Sequence, residues 1–171
     1  GMISNWGSHL NDIAQWANGT DRSGPVSVKG TGEFAKGLWN TIIRFDLEYE
    51  YADGVQLRYV IDRPYVRVEG TEGWLQADYG KQLTASSQKI LDAPIEPGEV
   101  SFAGTLSDKE DFLQAIKQNR ETLEPVEVGH RTVSLCQIGL IAIKLGRALR
   151  WDPAAERFLD DNAANAMLTR P

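Results

Sequence analysis

Alternation of apolar and polar residues predicts a long β-hairpin over residues 39–62. Odd positions of its first half are apolar or β-branched, and even positions are polar except for Ile42. A period of two is typical of a strand with one buried face. Asp53-Gly54 supplies a turn that tolerates positive φ, and the alternation resumes after it. We therefore predict that Phe45 and Leu47 are buried.

Shorter patterns predict further strands on both sides of this hairpin. Residues 26–29 are predicted to form a short edge strand, and residues 30–37 a glycine-containing connection. Residues 65–77 have the pattern of a second hairpin, and residues 83–86 that of one more strand. Residues 92–98 contain two prolines and a glycine, which predicts a loop.

Apolar residues recur at helical spacing near both ends of the chain. Helices are predicted over residues 6–18, 107–119, 128–149 and 160–168. The second of these begins Ser-Asp-Lys-Glu, which is a capping box. Because the strands form one block and most helices follow it, we predict an α+β fold, with an open, mainly antiparallel β-sheet and helices packed on one face.

Composition narrows the possible functions. At 171 residues, with 25% charged side chains, the chain has the size and polarity of one globular domain. A net charge of −6 without a Lys/Arg run argues against a nucleic-acid partner. One cysteine, Cys136, and two histidines, His9 and His130, leave too few ligands for a thiolate zinc site or a histidine-rich metal site. No apolar stretch is long enough to predict a membrane span. Localisation stays open, with the cytoplasm as the default and export of a parent protein as the alternative.

One segment matches a nucleotide-binding pattern. Residues 30–35 fit G-x-G-x-x-A after a predicted strand. That motif requires a following helix whose N-terminus faces the pyrophosphate, whereas the pattern after Gly37 is that of a strand. We therefore expect no cofactor to bind this chain by itself.

The first helix carries a stripe of residues that could perform chemistry. Asn5, His9, Asp12 and Trp16 are spaced four, three and four apart, which places them on one side of a helix. Histidine exchanges a proton near neutral pH, and a nearby carboxylate can fix its tautomer. From spacing alone, a polar stripe on a surface helix is the simpler interpretation. His130, near the start of the longest helix, equally fits an ordinary role at a helix terminus.

The same stripe resembles a known motif. Residues 5–19, NWGSHLNDIAQWANG, resemble the segment D-x-G-x-H-x-x-D-x-x-x-W-x-x-G of the Gfo/Idh/MocA family. These are the glucose–fructose oxidoreductase and inositol dehydrogenase-like proteins. Residues 70–74, 111–116 and 127–131 add to the resemblance, and residues 145–153 look like a bacterial subgroup of predicted dehydrogenases.

The resemblance implies a domain rather than a whole enzyme. It corresponds to the C-terminal substrate-binding and oligomerisation domain, residues 3–171, of an NAD(P)-dependent sugar or polyol oxidoreductase. Such proteins bind NAD or NADP in an N-terminal Rossmann domain, whose glycines, like the family's E-K-P lysine, are absent from this sequence. The resemblance thus implies a chain that is inactive alone, whose parent supplies the Rossmann domain and cofactor. It also implies a homo-oligomer formed through the open sheet face.

The resemblance also implies roles for particular residues. His9 would transfer a proton at the substrate hydroxyl. Residues expected to contact a sugar or polyol are Asn5, Asp12, Trp16, His130 and Arg131. Asn5 stands where many members have Asp, and asparagine cannot accept a proton. Two alternatives therefore stay open, a non-catalytic binding or assembly domain and part of an NAD-dependent glycoside hydrolase.

Overall fold

The computed structural model describes residues 1–99 and 107–169, which form two antiparallel sheets and their covering helices. The strands are β1 Ser27–Phe34, β2 Ile42–Glu50, β3 Gln56–Val60, β4 Tyr65–Gly70, β5 Gly73–Asp78, β6 Thr84–Ala85, β7 Leu149–Asp152 and β8 Arg157–Phe158. The helices are α1 Met2–Asn5, α2 Gly7–Ala17, α3 Gln88–Leu91, α4 Asp108–Gln118, α5 Val126–Leu145 and α6 Asn162–Asn165. The larger sheet has the order β3-β2-β1-β7-β8, and the smaller has the order β4-β5-β6. The predicted α+β architecture with an open antiparallel sheet is confirmed.

The central hairpin forms as predicted from its turn outward. Gly54 has a φ of +88°, and the Val55 backbone N–H donates a hydrogen bond to Asp53 Oδ1 at 3.0 Å. Leu47 is fully buried, and Phe45 is 6% exposed. Both predictions of burial are therefore confirmed.

The first residues of the hairpin differ from the prediction. Phe34 pairs with Ile42 and Glu33 pairs with Arg44, so the ladder skips Ile43. This bulge adds one residue to β2 and reverses the alternation before it. Ile42 is therefore buried at 3% exposure, whereas Ile43 is 43% exposed. Because Ile42 occupies an even position, like the polar residues, the alternation predicts that it faces solvent. This prediction was wrong, because a bulge leaves no mark in a period-two pattern.

Strand β1 is longer and more central than predicted. It lies between β2 and β7 and continues to Phe34, through most of the predicted connection. Its glycines permit close packing. A Cβ on Gly30 would lie 2.5 Å from the Asp46 carbonyl oxygen, and one on Gly32 would lie 2.6 Å from Ile42 Cδ1. Glycine usually weakens a strand, but here larger side chains would collide with the neighbouring strand.

Helix α5 ends earlier than the pattern predicted. Gly146 has a φ of +63°, and its N–H bonds to the Ala142 carbonyl at 2.9 Å, which ends the helix. Leu149 then pairs with Val28 as part of β7. The extension of the helix to Leu149 was therefore wrong, since its last apolar residues belong to a strand.

The remaining predictions of local structure are confirmed, with one exception. Ser107 Oγ accepts a hydrogen bond from the Glu110 backbone N–H at 3.2 Å and caps α4. The second hairpin, the short strand within residues 83–86 and the loop at 92–98 are all present. The terminal helix α6 is shorter than predicted. None of the described helices is long and apolar enough to cross a membrane.

Helix α5 lies directly on the buried face of the larger sheet. A Cβ on Gly139 would lie 2.3 Å from Tyr49 Oη and 2.8 Å from Leu47 Cδ1. The Tyr49 hydroxyl donates a hydrogen bond to the Leu135 carbonyl at 3.1 Å. The helix therefore approaches the sheet more closely than a side chain at position 139 would permit.

The opposite face of the larger sheet carries charged side chains. Lys29 Nζ lies 2.8 Å from Glu48 Oε2, and Arg58 Nη2 lies 2.6 Å from Asp46 Oδ2. These pairs are solvent-exposed and lie within one chain. Exposed ion pairs of this kind stabilise a fold only weakly.

We predict that Leu47→Ala lowers the free energy of unfolding by about 2–5 kcal/mol, because the cavity left between β2 and α5 cannot collapse freely. Glu48→Ala, the adjacent substitution on the exposed face, should have a far smaller effect. Urea denaturation of both variants measures the difference. Equal losses would mean that the charged face is also covered.

Candidate functional site

Helix α2 buries a small, polar edge against α5 and the sheet. Gly7, Asn11 and Gln15, spaced by four, are the buried positions of this helix. A Cβ on Gly7 would lie 2.6 Å from Cys136 Sγ, so the two helices meet closely there. The Tyr51 hydroxyl donates to Gln15 Oε1 at 3.3 Å. The apolar periodicity of this helix therefore does not mark its buried side.

The other side of α2 faces a cleft. Ile13 and Trp16 are 41% and 39% exposed, although both belong to the apolar repeat. The cleft has a volume of about 580 Å³ and lies between α2, the first turns of α5 and the end of β5. Its lining residues are Trp6, Ser8, His9, Leu10, Asp12, Ile13, Ala77, Asp78, Tyr79, Glu124, Gly129, Thr132 and Val133. A largely apolar cleft with a few polar groups is the usual form of a small-molecule site.

Two residues of the predicted stripe, His9 and Asp12, reach this cleft. The His9 ring packs edge-on against Trp6 at a centroid distance of 5.9 Å, and Trp6 packs against Tyr79 at 5.4 Å. Asp12 Oδ1 accepts a hydrogen bond from Thr132 Oγ1 at 3.1 Å. An aromatic contact thus supports the imidazole, and a hydroxyl from α5 orients the carboxylate.

A second carboxyl group, Glu124, meets Asp12 at the cleft. Partial burial, the charge of Asp12 and a hydrogen bond between the two groups raise the pKa of Glu124 to about 7. Two ionised carboxylates have no proton to share, so the contact is favourable when one of them is protonated. Sequence reasoning missed Glu124. It lies in the connection before Pro125, and no spacing rule relates that connection to α2.

Two other predicted residues lie outside the main cleft. Asn5 is exposed at the end of α1. Trp16 lines a smaller cavity of about 320 Å³ that adjoins the cleft at Asp12 and Glu124. The predicted stripe is therefore divided between solvent, the cleft and this side cavity.

The predicted pair at the start of α5 also lies away from the cleft lining. His130 Nε2 lies 2.7 Å from Glu156 Oε1. Arg131 donates to Glu127 Oε1 at 2.7 Å and to the Pro153 carbonyl at 2.6 Å. These contacts join α5 to the β7–β8 turn. Substrate contact by either residue stays a prediction.

Cys136 does not supply a nucleophile. Its side chain is completely buried, and burial raises the pKa of its thiol to about 11. The thiol is therefore protonated at neutral pH, and the thiolate is the reactive form. Within residues 1–99 and 107–169, no group of three or more His, Cys, Asp or Glu side chains could hold a metal ion.

The glycine segment at residues 30–35 does not fit a dinucleotide. Most of it lies within β1, and the next element is strand β2. A pyrophosphate site needs backbone N–H groups at a helix N-terminus, and this segment supplies none. The chain itself therefore does not offer NAD(P) a site at this motif.

Comparison with known families agrees with the architecture. The family model described as "Oxidoreductase family, C-terminal alpha/beta domain" of Gfo/Idh/MocA matches residues 1–171. The chain belongs to the Gfo/Idh/MocA oxidoreductase family. This membership confirms the resemblance inferred from the α2 motif. A search of curated proteins finds no significant match.

Solved structures share the fold of this Gfo/Idh/MocA domain. Aldose-aldose oxidoreductase from Caulobacter crescentus, complexed with glycerol, is 17% identical with a TM-score of 0.62, over 84% of this chain and 45% of that chain. An NAD-binding protein from Listeria innocua is 20% identical with a TM-score of 0.61, over 88% of this chain and 47% of that chain. A myo-inositol dehydrogenase from Corynebacterium glutamicum is 17% identical with a TM-score of 0.59, over 90% of this chain and 50% of that chain. The chain spans about half the length of these proteins.

Proposed function

We propose that this chain is the substrate-binding domain of an NAD(P)-dependent sugar or polyol oxidoreductase. The observation that carries the proposal is the cleft on α2, which holds His9 and Asp12 side by side in a Gfo/Idh/MocA C-terminal domain. The similar fold of an aldose-aldose oxidoreductase complexed with glycerol supports a hydroxyl-rich substrate.

In this proposal His9 exchanges the proton of the reacting hydroxyl group. His9 is exposed, lines the cleft and packs its ring against Trp6, so an oxygen of a substrate bound in the cleft can reach the imidazole. Asp12, oriented by Thr132, accepts a hydrogen bond from a second hydroxyl and thereby positions the substrate ring.

The cofactor is assigned to another part of the parent protein. The glycine segment at residues 30–35 does not fit a pyrophosphate, and the chain spans about half the length of its structural relatives, one of which is an NAD-binding protein. When bound, a nicotinamide supplies hydride chemistry. This domain would contribute the residues that bind the sugar and transfer its proton.

A non-catalytic binding domain is the second candidate. The observation that favours it is Asn5, whose amide cannot accept a proton and which lies outside the cleft lining. Such a domain would still bind a sugar or polyol in the same cleft but would not support its oxidation.

The test is turnover by the complete protein that contains this chain, followed as NADH or NADPH formation with a panel of sugars and polyols. We predict that His9→Asn lowers kcat by about 10²-fold or more, the usual contribution of general acid–base catalysis, without changing substrate affinity. Lys144→Ala should retain activity, because Lys144 is exposed in the last turn of α5 and does not line the cleft. Equal losses in the two variants would contradict the assignment of the site. Sugar binding without turnover in the unsubstituted protein would favour the non-catalytic candidate.

We also propose that the charged face of the larger sheet forms a homo-oligomer contact. Under two-fold symmetry this face meets itself, so arginines of one copy can lie opposite carboxylates of the other. Ile43, which the bulge exposes, adds an apolar contact to this face.

We predict a dimer whose fraction falls as salt concentration rises, because its contacts are polar and exposed. Light scattering after size exclusion, at low and high salt, measures the mass. Arg44→Glu combined with Arg58→Glu should shift the chain to monomer. A dimer that survives this double substitution would place the interface elsewhere, and a monomer under all conditions would refute the proposal.

A further inference from the structure

The side cavity next to the main cleft has no assigned ligand. It has a volume of about 320 Å³ and is bounded by the end of α2, the loop that follows α2 and the connection before α5. Asp12, Ile13 and Glu124 line both spaces. The two cavities are therefore neighbouring compartments of one trough, with Asp12 and Glu124 at their junction.

The chemistry of the side cavity suits a sugar ring. Trp16 lines it one helical turn after Asp12, and part of its indole is accessible at 39% exposure of the residue. An indole supplies a broad apolar surface for the C–H face of a ring. The carboxyl groups at the junction accept hydrogen bonds from hydroxyl groups. The C–H groups of a pyranose can therefore contact the indole while its hydroxyl groups bond the carboxyl groups.

The charges of the trough disfavour a phosphorylated ligand. Carboxyl groups at Asp12, Asp21 and Glu124 line the side cavity. Arg22 is the only Arg or Lys among the described residues that line either cavity, and its Nη2 lies 2.6 Å from Glu121 Oε2. A phosphate or nucleotide diphosphate would meet carboxylates there, whereas a neutral polyhydroxyl ligand would meet acceptors.

We propose that the trough binds a two-ring glycoside, with the reacting ring in the main cleft beside His9 and the second ring against Trp16 in the side cavity. The Asp12–Glu124 pair lies between the rings and bonds the hydroxyl groups near the linkage. The proposal rests on the proposed function for the reacting ring, but the second ring's site stands on its own cavity.

The protonation of Glu124 supports this arrangement. Partial burial raises the pKa of Glu124 to about 7, with further contributions from the Asp12 charge and hydrogen bond and a smaller one from Asp21, so Glu124 is protonated in about half of the molecules near neutral pH. A carboxyl–carboxylate pair can both donate and accept hydrogen bonds. A sugar hydroxyl does the same, so the pair can satisfy a hydroxyl in either role.

The experiment is calorimetric titration of this chain at neutral pH with glucose, maltose and cellobiose, the last two being two-glucose probes with α and β linkages. UDP-glucose is the anionic probe, which tests whether the site instead prefers a phosphorylated ligand. We expect at least one disaccharide to bind about ten-fold more tightly than glucose, as stacking on one indole would allow. Trp16→Ala should remove that difference and leave glucose affinity unchanged. Trp39→Ala, a substitution of an exposed tryptophan remote from both cavities, is the matched control and should change nothing.

Every other binding result of this titration contradicts the two-ring proposal. Disaccharides that bind no more tightly than glucose, or a Trp16→Ala variant that weakens glucose equally, would remove the second subsite while leaving the proposed oxidoreductase function intact. UDP-glucose that binds more tightly than either disaccharide would replace it with an anionic site, and a chain that binds none of the probes would refute it. Disaccharide preference in a protein without turnover would keep the subsite and refute the catalytic proposal.

Discussion

The close approach of α2 to α5 at Gly7 and Cys136 is the constraint on which the site depends. With 2.6 Å between a Cβ at position 7 and the Cys136 sulfur, a larger residue fits only if the Cys136 side chain or one of the helices shifts. This contact fixes which edge of α2 is buried. Because Gly7, Asn11 and Gln15 take that edge, His9, Asp12 and Trp16 lie on the sides that line the cavities.

The arrangement has a cost that apolar packing would avoid. Gln15 is completely buried, and among the described residues its Nε2 has no hydrogen-bond partner. An unsatisfied buried donor costs about 1–3 kcal/mol. An apolar side chain in place of Gln15 would avoid this cost but would lose the hydrogen bond from the Tyr51 hydroxyl to Gln15 Oε1.

Sequence patterns predicted the features that depend on neighbouring residues. Features that depend on contacts between distant segments were not predicted. The Asp53-Gly54 turn, the Ser107 cap and the burial of Leu47 follow from neighbouring residues, and the α2 motif pointed to the family. Strand β7 was missed because Leu149 fits the apolar pattern of the preceding helix. Only the helix end at Gly146 separates the two elements. The bulge at Ile43 and the meeting of Glu124 with Asp12 depend on pairings between distant segments, which periodicity does not contain.

The most direct test of this account is the free energy of unfolding of Gly7→Ala, measured by urea denaturation beside Gly129→Ala. Both replace a helical glycine, but a Cβ on Gly129 meets nothing within 4 Å. Gly129→Ala should stabilise by about 0.5–1 kcal/mol, and Gly7→Ala should destabilise by about 1–3 kcal/mol through overpacking. Gly7→Ala should also cost less in a Cys136→Ala background, where the sulfur is gone. If Gly7→Ala stabilises the chain as much as Gly129→Ala does, the helix contact does not hold the site in place.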